Sequence, residues 1–298
     1  MRRTSVAAAL ALALAAGGCG ASSGTSTGAP DTASAVPFDQ ALHDSLPQRI
    51  RDAGVIRLVT DASYAPLEQF APDGRTIIGF EPDMAQALGQ ILGVKVEMVT
   101  GTFQTALDDV VAGTYDGVLS AMTDTPQREK KVDFVNYLAA GTSIIVQRGN
   151  PNGITDIPAL CGRVVAIEKG TTQADLLRRS QAGCGTKPIH IGEYPTNADA
   201  MLQLRTGRAV AVLQDYPAAV HIVTDTRTRN NFTLASSTQY EPGLFGIPFA
   251  KGDSRLREAV RGALDKLIES GAYATLLDRW DLSAGAIKSA TVNGATAG

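Results

Sequence analysis

The sequence predicts an α/β fold built as two successive bodies. Short apolar runs with the composition of buried strands alternate with runs of helical spacing along most of the chain. The alternation occurs once over residues 55–122 and again over residues 163–223, separated by a longer apolar run at residues 143–147 where the chain could cross between bodies. The 298 residues suffice for two domains of ordinary size, each with its own core.

Hydrophobic spacing and breaker residues define the individual elements. Phe103, Leu107 and Val110 recur at helical spacing, Gly93 supplies a stop signal, and Gly271 breaks the last helical stretch. The predicted strands cover residues 55–60, 94–99, 117–122, 143–147, 163–167, 189–193, 209–213 and 244–250. The predicted helices cover residues 82–92, 103–112, 172–181, 197–205, 217–223 and 253–280.

Three short polar segments follow predicted strands, at the carboxyl ends where open α/β sheets place ligands. They are Ser120-Ala121-Met122-Thr123 with Arg128, Lys169-Gly170-Thr171-Thr172-Gln173, and Gln214-Asp215-Tyr216-Pro217. Together they offer a cation at Arg128, an anion at Asp215, hydroxyl groups and free N–H groups. A free α-amino acid needs this set, because its carboxylate and ammonium must both be paired once they leave water. An ordinary surface charge is the simpler interpretation of either residue alone, but the combination favours a site.

Two of these segments contain helix-start signals. Thr172 and Asp175 have the spacing of a capping box, so the preceding loop would present N–H groups that attract anions. Thr125 followed by Pro126 suits an N-cap that places Arg128 in the first turn. A plain capped helix is the alternative for the Thr172 segment. The glycine spacing matches neither a P-loop nor a dinucleotide fingerprint, so no nucleotide or other cofactor is predicted.

The N-terminal segment has the features of an export signal. Two arginines precede an apolar stretch at residues 6–16, and small residues lead to Cys19. This ending resembles a bacterial lipobox, in which the cysteine is acylated and becomes the new first residue, although Ala16 stands where leucine is usual. A soluble secreted protein with a chance cysteine is the alternative. We expect a signal peptide over residues 1–18 and an extracytoplasmic protein anchored to the cell membrane by a lipid, such as palmitate, on Cys19.

Polar segments flank the predicted folded body. Residues 20–36 are nearly all small or hydroxyl-bearing and cannot bury enough apolar surface to offset their ordering entropy. We assign residues 19–49 to a lipidated tether with its lead-in, and we expect residues 283–298 to form a flexible tail.

Cysteine content and charge narrow the function classes. Cys161 and Cys184 should pair as a disulfide outside the cytoplasm. A metal site with His190 is the alternative, but thiols in an oxidising compartment usually oxidise first. The net charge of −3 gives no reason to expect a nucleic-acid partner. No segment after the export signal has the uninterrupted apolar length of a membrane helix.

Ordered motifs carry a family resemblance across residues 56–282. They include Thr60-Asp61-Ala62-Ser63-Tyr64, Gly79-Phe80-Glu81-Pro82-Asp83, Met122-Thr123-Asp124-Thr125-Pro126-Gln127-Arg128, Glu168-Lys169-Gly170-Thr171-Thr172-Gln173 and Gln214-Asp215. With these motifs the sequence resembles the family 3 extracellular solute-binding proteins of ABC transporters, in the polar amino-acid-binding group.

The resemblance implies a type II periplasmic-binding-protein-like clamshell, in which each lobe is a mixed sheet flanked by helices and two strands form the hinge. Lobe 1 would comprise residues 50–142 and 244–282, and lobe 2 residues 143–243. It also implies a monomer that closes over an amino acid and docks on the permease subunits of an ABC transporter.

Residue by residue, the resemblance assigns roles in the cleft. The ligand carboxylate would bind Arg128, with help from the N–H groups of Thr123 and Thr172. The ligand ammonium would bind Asp215, with the carbonyl of Ser120 and the hydroxyl of Thr123. The resulting candidate ligand-binding residues are Asp61, Tyr64, Phe103, Ser120, Ala121, Met122, Thr123, Arg128, Glu168, Thr171, Thr172, Gln173 and Asp215.

The remaining candidates concern the pocket walls and the ligand side chain. Tyr64 and Phe103 would wall the pocket, with core packing as the alternative for each. Asp61 and Glu168, with Gln173, would face the ligand side chain or the rim. Two carboxylates in a closed cleft must be paired, so arginine, lysine or ornithine would suit better than glutamine, and glutamate should be repelled. The alternative is that Glu168 points into solvent and Asp61 caps a local turn.

A binding protein without catalysis is the leading interpretation. An enzyme is the alternative, because related clamshells include dehydratases and cell-wall lytic enzymes, and catalysis would need a general acid or base in the cleft. His43, His190 and His221 lie outside the motifs, which leaves Glu168 as the candidate. A third alternative is an accessory protein that passes a liganded state to a separate receptor.

Overall fold

The computed structural model describes residues 36–295. The predicted signal peptide, residues 1–18, and the predicted lipidation residue Cys19 lie outside the described residues. Over residues 36–295, none of the helices combines the length and the apolar content that a membrane span requires.

Thirteen strands form three sheets in the described part of the chain. The strands are β1 (Val55–Thr60), β2 (Ser63–Tyr64), β3 (Glu68–Phe70), β4 (Ile77–Ile78), β5 (Lys95–Thr100), β6 (Gly117–Val118), β7 (Val132–Gln147), β8 (Val164–Glu168), β9 (His190–Tyr194), β10 (Ala211–Asp215), β11 (Phe232–Leu234), β12 (Tyr240–Ala250) and β13 (Thr291–Val292). β6 is shorter than predicted, because Ala121 turns the chain with a left-handed φ of 45°.

Ten α-helices accompany these strands over residues 36–295. They are α1 (Gln40–Ser45), α2 (Gln48–Ala53), α3 (Phe80–Leu92), α4 (Ala106–Val111), α5 (Pro126–Glu129), α6 (Thr172–Ser180), α7 (Asn197–Arg205), α8 (Tyr216–Thr224), α9 (Ser254–Glu269) and α10 (Ala272–Arg279). Gly93 ends α3 and Gly271 precedes α10, both with left-handed φ, as the breaker signals predict.

The sheet of the first body has the order β5-β1-β6, and its strands are parallel. Leu58 of β1 belongs to a large core with Leu88 of α3 and Leu264 of α9. The next residue, Val59, belongs to a smaller cluster with Val110 of α4 on the opposite face. Because helices cover both faces, the carboxyl edge of the sheet remains the place for a ligand.

The sheet of the second body contains the order β11-β7-β10-β8-β9. β10, β8 and β9 run parallel, and β7 is antiparallel to β10. Ile167 packs with Leu177 of α6, whereas its neighbour Ala166 belongs to a separate cluster with Leu204 of α7. This sheet therefore also has a core on each face.

Two strands cross between the bodies. β7 is 16 residues long. Its first half pairs with β12, from Val132 opposite Ala250 to Ala140 opposite Gly243, and its second half pairs with β10 and β11. Together, β7 and β12 form a two-strand connection in which one continuous strand contributes to both bodies.

The lead-in to β1 is folded, although the sequence placed residues 19–49 outside the body. Leu46 and Ile50 are fully buried in the core of the first body, beside α3 and α9. Asp39 caps α1 through the backbone N–H of Leu42 and forms an ion pair of 2.8 Å with Lys266. The prediction that the lead-in lies outside the folded body is therefore corrected for residues 36–49, where two short helices bury apolar side chains. The small, polar composition of residues 20–36 gave no sign of this.

The expected flexible tail is likewise wrong for residues 283–295. β13 pairs with β7, with Thr291 opposite Asn136. The side chain of Asn293 accepts a hydrogen bond of 2.8 Å from the backbone N–H of Phe134, and Ala290 is buried. Small polar residues order here because β7 offers backbone and amide partners along a free edge.

Cys161 and Cys184 form the predicted disulfide, with an Sγ–Sγ distance of 1.98 Å. The two thiols are therefore not available for the alternative metal site with His190. Among residues 36–295, no group of three or more His, Cys, Asp or Glu side chains is arranged to hold a metal ion.

Candidate functional site

A cavity with about 440 Å³ of empty space, part of it open to solvent, lies between the two bodies. Asp61 follows β1, Glu168 ends β8 and Asp215 ends β10, so three strands deliver acidic side chains to one place. The cavity is lined by Asp61, Tyr64, Glu68, Phe103, Ser120, Ala121, Thr123, Arg128, Glu168, Thr171, Thr172, Gln173, Asn197, Leu213 and Asp215.

Arg128 is the cation at one end of the cavity. The N-cap Thr125 accepts its backbone N–H at 3.2 Å, which fixes Arg128 in the first turn of α5 as predicted. Nη1 donates to the carbonyl of Thr123 at 2.6 Å, and Nη2 donates across the cleft to the carbonyl of Gly170 at 3.0 Å. The guanidinium carbon lies 5.6 Å from the centroid of the Phe103 ring.

Arg128 is a buried cation whose guanidinium donates to carbonyl oxygens. Desolvation lowers the pKa of its guanidinium to about 10, although Asp175, Asp215 and Asp124 oppose that shift through their charges. Both hydrogen bonds of the guanidinium go to neutral carbonyl oxygens rather than to a carboxylate. A planar guanidinium in this state can bind a carboxylate through two parallel N–H donors.

Asp215 is the anion beside it, and it connects the two bodies. Its Oδ2 accepts the hydroxyl of Tyr64 at 2.8 Å, its Oδ1 accepts the amide of Gln173 at 2.9 Å, and its backbone N–H donates to the Tyr64 oxygen at 2.8 Å. Burial raises the pKa of Asp215 to about 6, while Tyr64, Arg128 and Gln173 lower it. Asp215 is therefore mostly ionised at neutral pH and can accept an ammonium group.

Asp61 and Glu168 form an acid pair across the cavity. Each is 9% exposed and lines the same cavity, and the charge of Asp61 acts on Glu168. Burial raises the pKa of Glu168 to about 9, with a further rise from the charges of Asp61 and Asp215. The pKa of Asp61 is raised by burial too, although its hydrogen bonds with Ser63 lower it. Glu168 thus does not point into solvent, whereas Asp61 does take part in a local turn.

Two fully buried glutamates lie behind the Ser120–Ala121 turn. Ser120 donates its hydroxyl to Glu68 Oε1 at 3.0 Å, and the backbone N–H of Ala121 donates to Glu81 Oε1 at 2.7 Å. Tyr137 also donates to Glu81 Oε1. Burial raises the pKa of Glu81 to about 7 and that of Glu68 well above its usual range. These contacts hold Ala121 in its left-handed conformation, which is uncommon for a non-glycine residue.

The loop before α6 differs by one residue from the predicted capping box. Thr171, not Thr172, is the N-cap, and its hydroxyl accepts the N–H of Ala174 at 3.4 Å. The left-handed φ of 82° at Gly170 makes the turn, so that Thr171 is the first extended residue before the helix. The hydroxyl of Thr171 also donates to the carbonyl of Glu168 at 2.7 Å, which ties the acid pair to the loop.

The cavity brings together all the predicted ligand-binding residues except Met122. The Met122 side chain is buried in the cluster that contains Val59 and Val110, so it supports the site from behind. Its position follows from the turn at Ala121, which no strand pattern reveals.

Sequence reasoning missed Glu68, Asn197 and Leu213 in the lining. Asn197 is the first residue of α7; it donates from Nδ2 to the carbonyl of Ser63 at 3.5 Å and accepts from Gln214. Glu68 directly follows the buried Leu67, and this apolar neighbour was the available signal.

Comparisons with known proteins agree with this architecture. The arginine-binding protein ArgT of Corynebacterium glutamicum is 29% identical over 262 residues, which cover 87% of this chain and 83% of that protein. A crystal structure of a mutant of ArgBP from T. maritima has a TM-score of 0.71 and 28% identity, covering 80% of this chain and 99% of that one. The ancestral amino-acid-binding protein AncCDT-1, described as a precursor of cyclohexadienyl dehydratase, has a TM-score of 0.68 and 30% identity, covering 78% of this chain and 97% of that one.

Two α/β bodies joined by crossing strands, with a charged cavity between them, define a two-lobe solute-binding protein. The chain belongs to the bacterial extracellular solute-binding proteins, family 3, with a match over residues 56–283. The predicted family and the predicted clamshell fold class are therefore confirmed. Members of this family act outside the cytoplasm, as the family description states.

Proposed function

We propose that this protein binds a free α-amino acid with a cationic side chain between its lobes and delivers it to the permease of an ABC transporter. The observation that carries the proposal is the charge arrangement of the cavity. Arg128 donates to carbonyls only, Asp215 lies beside it, and the acid pair of Asp61 and Glu168 completes the lining. The similarity to arginine-binding proteins supports the same ligand class.

Each charged group of such a ligand has a partner of opposite sign. The carboxylate takes Arg128, with the N–H groups of Thr123 and Thr172. The ammonium takes Asp215, with the Thr123 hydroxyl and the Ser120 carbonyl. The side-chain cation takes the acid pair, because buried carboxylates oppose closure unless they are paired.

Closure is the transport mechanism in this proposal. We assign lobe 1 to residues 36–142 and 244–295, and lobe 2 to residues 143–243. Arg128 then belongs to lobe 1 and Asp215 to lobe 2. A ligand that contacts both residues stabilises the closed state selectively, and a monomer in that state docks on the permease.

A thermal-shift screen against the common amino acids, followed by isothermal titration of the hits, tests the proposal. Binding to the folded state raises the melting temperature by mass action. Arginine, lysine or ornithine should give the largest shifts, glutamine a smaller one and glutamate none. The largest shift with glutamate would refute the assigned charge of the pocket.

Catalysis is the alternative that one observation favours. The raised pKa of Glu168 leaves a protonated carboxylic acid in the cleft near neutral pH, and a similar protein is described as a precursor of a dehydratase. We propose binding without turnover, because Glu168 already has a role: together with Asp61 it binds the cation of the ligand side chain. Incubation with each bound amino acid, followed by mass spectrometry, would detect a product if the alternative held.

Anchoring through Cys19 is part of the proposal and has a separate test. The motivation is the lipobox-like ending of the export signal. Cys19→Ala should release the protein from the membrane fraction without changing its affinity for the ligand, since the cleft residues are untouched. Unchanged membrane association of the variant would show that another feature holds the protein there.

A further inference from the structure

The two carboxyl groups of the acid pair are buried together, and without a ligand no side-chain cation of the ligand neutralises them. Asp61 comes from the end of β1 in lobe 1, and Glu168 is the last residue of β8 in lobe 2. Ionised carboxylates are hydrogen-bond acceptors only, so two of them cannot form a hydrogen bond with each other. Both side chains are 9% exposed and line the same cavity, so one of the two carboxyl groups must bind a proton unless a cation lies between them.

A second observation shows that the pair is incompletely satisfied. Glu168 is 9% exposed, and its Oε1 is buried without a hydrogen-bond partner. Buried polar atoms in folded proteins are nearly always hydrogen-bonded, so an oxygen in a cavity lining that has no partner among the protein atoms can accept a donor from a ligand. The unpartnered oxygen thus marks the place where a donor from the ligand would bind.

The groups around the acid pair add further negative charge. Asp215 and the Tyr64 hydroxyl face Glu168, and Asp199 on α7 and Glu68 on β3 act on Asp61. Arg128, a cation in the lining of the same cavity, acts on Asp215. Over residues 36–295, the charges that act on the pair belong to acids, so a proton is what compensates them in the absence of a ligand.

We propose that Asp61 and Glu168 hold one proton between their carboxyl groups in the ligand-free closed molecule and exchange it for the cationic end of the ligand side chain. This inference rests on the proposed function and adds its proton balance: the ligand cation enters and one proton leaves to the solvent. The proton and the ligand thus perform the same task in turn, which is to join an acid of lobe 1 to an acid of lobe 2.

The exchange follows from space and charge. A cation that binds both carboxyl groups takes the place of the proton, because either one supplies the positive charge that two buried acids need. Once the cation is in place, its charge favours the ionised form of Glu168 and lowers the pKa of that group. A guanidinium has enough N–H donors to serve both carboxylates, including the unpartnered Glu168 Oε1.

The sign of the pH dependence follows directly. A proton is bound in the free protein and absent in the complex, so affinity for a cationic ligand rises with pH. Between pH 6.5 and 7.5, below the Glu168 pKa of about 9, the slope approaches about tenfold per pH unit. Asp215, with a pKa of about 6, also loses protons on binding, but it does so for every ligand that carries an α-ammonium group.

Arginine and citrulline separate these two contributions. They have the same length and the same α-groups, but citrulline has a neutral end. Titration calorimetry at pH 7.0 in buffers of different ionisation enthalpy counts the protons released. We expect arginine to release about one proton more than citrulline from the wild-type protein, and we expect this excess to vanish in Glu168→Gln. Equal release for both ligands in the wild type would overturn the exchange while leaving the proposed function intact.

Carboxyl carbon NMR of the ligand-free protein supplies a readout that does not depend on citrulline binding. Besides the signals of the buried Glu68 and Glu81, the wild type should show a carboxyl group that titrates well above pH 7. This signal should be absent in Glu168→Gln and shifted to lower pH by saturating arginine. A pair that is fully ionised at pH 7 without ligand would overturn the inference. Failure of every amino acid to bind would instead reject the proposed function, and the exchange with it.

Discussion

The two ends of the cavity stabilise buried ionisable groups in opposite ways. At one end, the cation of Arg128 is held by two backbone carbonyl oxygens and an aromatic ring. At the other end, the acids Asp61 and Glu168 are both 9% exposed, and the charge of Asp61 raises the pKa of Glu168. Carbonyl dipoles leave the charge of the arginine in place, whereas the acid pair must lose charge by binding a proton. The first end is therefore ready for an anion at any ordinary pH, and the second depends on pH.

The largest effect should come from removing the permanent charge. Arg128→Ala leaves the ligand carboxylate without its partner in a closed cleft, which costs about 3–5 kcal/mol and weakens binding roughly a hundred- to several-thousand-fold. Isothermal titration measures the affinity, and an unchanged melting temperature of the ligand-free protein serves as the folding control. Arg128→Lys is the matched variant, since it keeps the charge and loses the two-pronged geometry. Near-wild-type affinity in Arg128→Ala would remove this residue from the site.

Asp215→Asn tests the anion next to Arg128 with an isosteric change. The ligand ammonium loses its charged partner, for which we expect a loss of roughly 2 kcal/mol or more, about thirtyfold in affinity. Arginine and glutamine should be affected alike, because both carry the same ammonium group. A loss of affinity confined to arginine would show that Asp215 binds the ligand side chain instead of the ammonium group.

Glu168→Gln should have a smaller effect that depends on the ligand. The variant keeps a hydrogen-bonding group opposite Asp61 but removes one carboxyl group, so arginine should lose about tenfold in affinity, or roughly 1.4 kcal/mol. Glutamine should bind about as well as before. The measurement is the ratio of the two dissociation constants. An unchanged ratio would mean that the acid pair does not set the preference for a cation.

Tyr64→Phe should have the smallest effect of the four. It removes the hydroxyl that joins Tyr64 to Asp215 across the cleft, a neutral donor to a charged acceptor at 2.8 Å. A hydrogen bond to a charged group contributes about 1.5–3 kcal/mol, but in the complex the ligand ammonium also pairs with Asp215. We therefore expect only part of it, about 1 kcal/mol or about fivefold in affinity, to be lost, together with a faster dissociation rate in stopped-flow measurements. A loss as large as that of Asp215→Asn would indicate that Tyr64 positions Asp215 rather than closing the lobes.

The sequence was most informative where a residue's role follows from strand order. Asp61, Glu168 and Asp215 each come at the carboxyl end of a strand, and parallel strands bring such ends together. Thr125 before Pro126 likewise fixed Arg128 in a first turn. These relations depend on neighbours along the chain and on one general rule of sheet topology.

Backbone conformation and long-range packing were not predictable in this way. The left-handed turn at Ala121 directs Met122 into the core, and nothing in an apolar run announces that turn. Asn197 reaches the cavity because α7 packs beside β2, a contact between residues more than a hundred positions apart. The presence of Asp61 and Glu168 in one cavity likewise depends on how the two lobes meet, which no local pattern encodes.

The C-terminal strand has a practical consequence for anyone who shortens this chain. The family match ends at residue 283, which invites a cut at that point. Such a cut would remove β13 from β7 and leave the backbone N–H of Phe134 and the side chain of Asn136 without the partners that Asn293 and Thr291 supply. An uncovered strand edge is a template for pairing between molecules. We therefore expect a protein that ends at residue 283 to aggregate at concentrations at which one that ends at residue 295 stays monomeric.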